Sequence, residues 1–314
     1  MNILDSFAIK MNKDTPTFAD FQKYKPQNNL EERVKNKAIE IMGDGMDYIT
    51  WQSKMKDYKN HVLDELDYDL NLDFNPRKIV GDDSSNAFEH FYGNTNVMGP
   101  DALHGTHVSG IIAAVRGNGI GIQGIANHVS ILMIRTVPAG DERDKDVANA
   151  IRYAADHGCK VVNMSFGKSY SPDKKAVDEA VQYAMSKDVL LIQAAGNDGL
   201  NIDHEPHYPN RIYMDGTEAG AYLVVGASTS TNDSNLVADF SNYGKKSVDV
   251  FAPGVDIYSC VPGSKYQNES GTSMAAPVVT GIAALIREYY PKLTALQVKQ
   301  IIMLSVVNQH KIFT

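Results

Sequence analysis

Between residues 129 and 228, short apolar runs alternate with stretches of helical period, and this rhythm constrains the fold more than any other feature. "VSILMIR" (129–135), "KVVNMSF" (160–166), "VLLIQAAG" (189–196) and "AYLVVGAS" (221–228) are rich in Val, Ile and Leu and end in turn residues. Their length and composition predict buried strands. Between the first three lie "DVANAIRYAADHG" and "DKKAVDEAVQYAMSKD". The first begins with an Asp suited to N-capping and ends at Gly158, where a helix C′ glycine belongs. The second places Ala176, Val177, Ala180, Val181 and Ala184 on one face. Strand, helix, strand, helix predicts an α/β chain with a parallel sheet covered on both faces, hence three layers. In such sheets, sites gather at the carboxyl ends of the strands.

The composition changes near residue 75. Residues 1–75 are polar, and within them 30–42 and 46–66 carry apolar residues at roughly helical spacing, separated by "GDG" at 43–45. This predicts an amphipathic helical hairpin or broken helix, with a division into residues 1–75 and 76–314. The favoured reading of the first part is a surface appendage without chemistry. The 314 residues, 43% of them hydrophobic, suffice for a substantial core. Lys and Arg number 30 against 38 Asp and Glu, a net charge of −8. That balance, without a basic stripe, argues against nucleic acid as a partner. No apolar run reaches the roughly 18 residues of a membrane span. The opening "MNILDSFAIKMNKD" is too polar for a signal peptide. Cys159 and Cys260 lie far apart in sequence and read as two buried free thiols.

Four segments carry candidate chemistry. In "NESGTSMAAPVVTGIAALI" (268–286), Ser273 stands at the mouth of an apolar helix, which Ile282, Leu285, Ile286 and Tyr289 predict to be buried. The free N–H groups and positive dipole end of a helix start would favour an oxyanion beside that hydroxyl. An ordinary N-cap serine is the alternative. In "GPDALHGTHVSGIIAAV" (99–115), His104 is a candidate general base, its ordinary pKa being near neutrality. His104 and His107 could also pair on a metal, but the acidic residue of an HExxH motif and a third ligand are both missing, which disfavours that reading. Gly105 and Gly110 suggest close packing of the helix. Asn197, in "AAGNDG" (194–199), follows a strand and can aim an amide donor at an oxyanion, or simply form a turn. Ser165, Phe166 and Gly167, in "NMSFG", end another strand and offer an edge to an extended peptide.

"HGTHVSG", "AAGNDG" and "GTSMAAP", in this order, resemble the subtilisin-like serine proteases, the subtilase family. The likeness spans about residues 77 to 305 and includes "DVFAPGVDIYS" at 249–259. It implies a parallel-sheet, three-layer subtilisin-like peptidase domain over 76–314 with an N-terminal helical insertion. It also implies a serine endopeptidase that hydrolyses polypeptides through an acyl-enzyme on Ser273. His104 would be the general base, Asn197 the oxyanion donor, and Ser165, Phe166 and Gly167 the substrate cleft. The chemistry would need no cofactor. Structural calcium is typical of relatives, and "DERDKD" (141–146) is the candidate here, with a solvated capping loop as the favoured alternative. The intact relatives are mostly exported, to the medium or the cell envelope, and many carry a propeptide that would be a further partner.

The family also uses an aspartate, in the chain order Asp, His, Ser. It ends a buried strand before the histidine, and no segment of residues 1–103 has that pattern. Asp82 and Asp83 in "KIVGDDSS" are the nearest stand-ins, and Asp5 lacks both strand and glycine. The expectation is a chain that begins downstream of the aspartate and is clipped after "ALQVKQIIMLSV", with weak or no activity of its own. A non-catalytic peptide binder is the competing expectation.

Overall fold

The computed structural model describes residues 3–43, 45–71, 73–75, 77–138, 140–231, 233 and 235–307. The chain divides into two units, Met1–Pro76 and Arg77–Thr314.

In the first unit, α1 (Ile3–Lys10) and α2 (Phe18–Lys23) precede α3 (Asn29–Gly43) and α4 (Tyr48–Asp64), which runs into a π-helical turn at Glu65–Asp69. The core is aromatic: Phe7, Phe21, Tyr48 and Trp51 close around Ala38. Of the apolar residues spaced along 30–42 and 46–66, Val34, Ala38, Ile41 and Met46 pack into this core, whereas Leu30, Ile49, Met55 and Leu66 are exposed. The short helices α1 and α2 supply Phe7 and Phe21. Glu31 is buried and bonded by Lys10, by Gln27 N at 2.9 Å and by the Tyr24 hydroxyl at 2.8 Å. Lys10 foremost holds its carboxyl at about 2.

The second unit starts with a single turn, α5 (Arg77–Val80), and α6 (Leu103–Ala113). A βαβ succession follows: α7 (Asp144–Asp156), β1 (Val161–Met164), α8 (Lys174–Ser186), β2 (Leu190–Ala194), β3 (Tyr222–Ser228) and β4 (Val250–Pro253). These strands form one parallel sheet in the order β1-β2-β3-β4, with Val162 opposite Leu191 and Ile192 opposite Leu223. An antiparallel hairpin, β5 (Ile257–Val261) and β6 (Lys265–Glu269), leads into α9 (Thr272–Tyr289), and α10 (Ala295–Leu304) ends the described chain.

Alternation along β2 explains the layers. Leu191 and Ala195 face a core shared with Val147, Ile151, Val177 and Val181 of α7 and α8. Leu190, Ile192 and Ala194 face Ala275, Ala276, Val279 and Ala283 of α9. The result is the predicted three-layer α/β fold. Two readings need correction. The face of α9 against the sheet is mostly small, with Ala275, Ala276, Val279 and Ala283, whereas Ile282 and Tyr289 are exposed. Small side chains let the helix axis lie close to the sheet, and larger ones would hold it off. The run 129–135 is not a strand: it forms no ladder, and Ile131, Leu132 and Met133 are each more than a third exposed. A strand exists only where a neighbour takes up its N–H and C=O groups. α7 also starts earlier than read, with Arg143 at the N-cap.

Candidate active site

Two strand-end segments, after β1 and after β2, meet at the start of α9. Ser273 is the second residue of that helix and half-buried. It is not an N-cap, since Gly271 takes that position. Its Oγ donates to the Ser165 carbonyl at 3.2 Å, just past the end of β1. The reverse bond, Ser165 Oγ to the Ser273 carbonyl, measures 2.8 Å. Pro277 explains why that carbonyl is free to accept: four residues on, it has no N–H to complete the helical bond. Asn163 supports Ser165, donating Nδ2 to its Oγ at 2.9 Å, and Thr280 donates to Asn163 Oδ1 at 2.9 Å.

Asn197 lies on the other flank, in the turn after β2. Its Oδ1 accepts from Thr272 N at 2.8 Å and Thr272 Oγ1 at 2.9 Å. Those bonds fix the amide, so Nδ2 is turned away from Thr272. A methyl group placed on Gly271 would stand 3.5 Å from Asn197 Nδ2 and 3.6 Å from Ser273 N. Both atoms therefore flank Gly271 at the start of α9. Asn242, fully buried, clamps this turn: it accepts from Asp198 N (3.1 Å) and Leu200 N (2.9 Å) and donates to the Ala195 carbonyl (2.9 Å). Thr272 is foreshadowed only by its place in "GTS", and Asn242 by no pattern at all.

α6 carries the histidines. Gly110 allows this helix to rest on β5, where an added methyl would overlap Ser259 Oγ, and Ser259 Oγ donates to the His107 carbonyl at 2.8 Å. Gly105 is looser, 3.5 Å from Met133 Cε. His107 is buried, with Nε2 3.2 Å from the Gln267 carbonyl of β6, while His104 is exposed and makes no hydrogen bond or ion pair with a described residue. The two rings thus point different ways, unlike a metal pair. Crowding by protein atoms pulls the His104 pKa below the ordinary imidazole value, and His107 adds to this. The charges of Glu269 and Asp101 pull it the other way.

Asp82 and Asp83 do not serve His104. Asp82 is bound by Arg77 at 2.5 Å and Lys145 at 2.7 Å. Asp83 Oδ1 accepts from Ser85 N and Oγ. Two of the acids of 141–146 are engaged within the protein. Asp144 is taken by Lys168 (2.8 Å), Ser171 and Asp173 N, and Asp146 by Arg77 (2.7 Å) and Tyr92. Among the described residues, no three His, Cys, Asp or Glu side chains are grouped so as to hold a metal. Of the cleft segment, Ser165 faces Ser273, Phe166 packs partly against the α7–α8 core, and Gly167 abuts His207.

Comparison with known proteins gives these positions a context. Residues 38–313 match the model of the subtilase family. Thermitase of Thermoactinomyces vulgaris is 42% identical over 185 residues, which cover 58% of this chain and 60% of thermitase. The cell wall-associated protease of Bacillus subtilis is 34% identical over 283 residues, 89% of this chain and 27% of that protein. A solved cold-adapted subtilisin-like serine proteinase superposes with a TM-score of 0.54 at 34% identity, covering 64% of this chain and 67% of its own. The chain therefore spans about a quarter to three fifths of the length of these curated relatives. With the family model matched over most of its length and the three-layer sheet in place, the chain belongs to the subtilase family.

Proposed function

We propose that this protein is a serine endopeptidase that cleaves polypeptides through an acyl-enzyme on Ser273. The observation that supports the reading is that Asn197 Nδ2 and Ser273 N both flank Gly271, at the start of the helix that carries the Ser273 hydroxyl. A peptide carbonyl seated there would be attacked by the hydroxyl, and its oxygen would take negative charge between two fixed donors. His104, neutral at and above neutral pH because its pKa is lowered, takes the hydroxyl proton and returns it to the leaving amine. The reading assigns Ser165 and Gly167 to the edge along which substrate extends.

Glu269 and Asp101 act on His104 through their charge alone, with no hydrogen bond or ion pair to it among the described residues. Turnover by this chain is accordingly slow. In subtilisin, loss of the triad aspartate costs about 3 × 10⁴ in kcat without abolishing catalysis. Relatives include a protein named for the cell wall, which supports an exported enzyme acting on polypeptides outside the cell. No helix among the described residues is long and apolar enough to cross a membrane. The residues 1–75 are read as a helical insertion without chemical groups of the site. No bound cofactor takes part in these steps. The test is incubation with an unfolded polypeptide and mass spectrometry of new termini. Internal cleavage by the wild type and none by Ser273→Ala is expected; equal cleavage by both would remove the proposal.

A further inference from the structure

In the first unit, the apolar stripe of α4 outruns the core that it serves. Tyr48, Trp51, Met55, Tyr58, Val62 and Leu66 recur every three or four residues and so lie along one face of α4 and of the π-helical turn that continues it. The first two are buried, at 2% and 5% exposure, in the core with Phe7, Phe21 and Ala38. The stripe then runs on uncovered: Tyr58 is 63% and Leu66 57% exposed, and Met55 and the neighbouring Leu63 are exposed as well. Apolar side chains exposed singly need no explanation, whereas a contiguous row of large ones marks an interaction surface.

The charge along the same stretch says what fits the row. "SKMKDYK" (53–59) holds three lysines against one aspartate, whereas "DELDYDLNLD" (64–73) holds five acids and no base. Lys54, Lys56, Lys59, Asp67 and Asp73 are all exposed. A helix that is basic at one end of an apolar row and acidic at the other is complementary to its own antiparallel copy. A two-fold axis near about residue 60 sets Met55 of one protomer opposite Leu66 of its partner, Tyr58 opposite Val62, and Lys56 beside Asp67, each pair occurring twice. Parallel pairing would instead set lysine against lysine and acid against acid. Charged residues flanking an apolar helical seam choose partner and orientation in this way.

We propose that α4 is the seam of an antiparallel homodimer. Met55, Tyr58, Val62 and Leu66 of two copies interlock along it, and the lysines of 54–59 in each copy face the acidic segment 64–73 of the other. No group of the candidate active site takes part. A single short seam lies at the small end of protein interfaces, so the dimer is weak, with a dissociation constant of roughly 10–100 μM.

The test is sedimentation velocity of the full chain over a concentration series spanning that range, where the wild type is expected to pass from monomer to dimer. Tyr58→Asp places a charge twice at the centre of the seam and should weaken association by about thirtyfold or more. Lys56→Asp and Asp67→Lys each bring like charges together and should each weaken it by about three- to tenfold. Mixed, these two variants should associate with each other more tightly than either does with itself, and a chain carrying both substitutions should recover wild-type association. All three positions are exposed, so the fold should be kept, and circular dichroism checks this. A wild type that stays monomeric, a dimer indifferent to Tyr58→Asp, or charge variants that do not rescue one another would overturn the proposal.

Discussion

The nucleophile side and the base side of the site are built to different standards. Ser273 is half-buried and Asn197 exposed, yet each side chain is held by at least one hydrogen bond at the end of β1 or the start of α9. His104 stands exposed at the second position of α6, and the apolar run 129–135 that follows in sequence forms no strand ladder with any described residue. "VLLIQAAG" and "VSILMIR" read alike, yet one is a fully buried central strand and the other an exposed extended segment. The contrast teaches that a strand-like sequence becomes a strand, and a side chain becomes preorganised, only where neighbours receive it.

The largest effect should separate the two sides chemically. Ser273→Ala removes covalent labelling altogether. Asn197→Ala should slow acylation by about 10²–10³, the cost known for the corresponding donor in subtilisin. Labelling rates with a fluorophosphonate measure both, and an Asn197→Ala rate within a few-fold of wild type would mean that Nδ2 does not face the oxyanion. Stability should separate them next. Leu191→Ala removes a fully buried side chain and should cost about 2–5 kcal/mol. Leu132→Ala, in the unpaired run, should cost no more than about 0.5 kcal/mol. Urea titrations decide, and similar losses would show that 129–135 is packed after all. Ser165→Ala leaves the Ser273 carbonyl without its donor and should cost about 1–3 kcal/mol.

The smallest effect concerns pH on the base side. A general base works when neutral, so activity is lost as pH falls through the His104 pKa. That pKa is lowered, which places the acid limb of the labelling rate below the ordinary imidazole value. Glu269 pulls the pKa upward, so Glu269→Gln should move the limb to still lower pH. A shift to higher pH would contradict the assignment of His104 as base.

Strand and helix periods made β1, β2, β3, α7, α8 and α9 legible, because each buries a regular face against the next. The place of Asn197 came with them, since it follows β2 at a carboxyl end of the sheet, whereas Ser273 follows the separate β5–β6 hairpin and was marked by its motif alone. β4 and the β5–β6 hairpin were not legible: "VFAP" contains a proline, and the burial along β6 is shallow. Asn242 escaped for another reason. It acts through long-range contacts, clamping a turn more than forty residues upstream. Periodicity carries no record of such meetings. The exposed side of α9 was misassigned because large apolar residues were taken as the buried ones, whereas close approach to a sheet selects small ones.

The central claim is that Ser273 is a nucleophile activated by His104. The direct measurement is treatment of the folded chain with a fluorophosphonate, followed by mass spectrometry of the modified peptide, alongside Ser273→Ala and His104→Ala. The account predicts slow labelling confined to Ser273 and lost in both variants. Labelling that survives His104→Ala unchanged, or a folded chain that is never labelled, would contradict it.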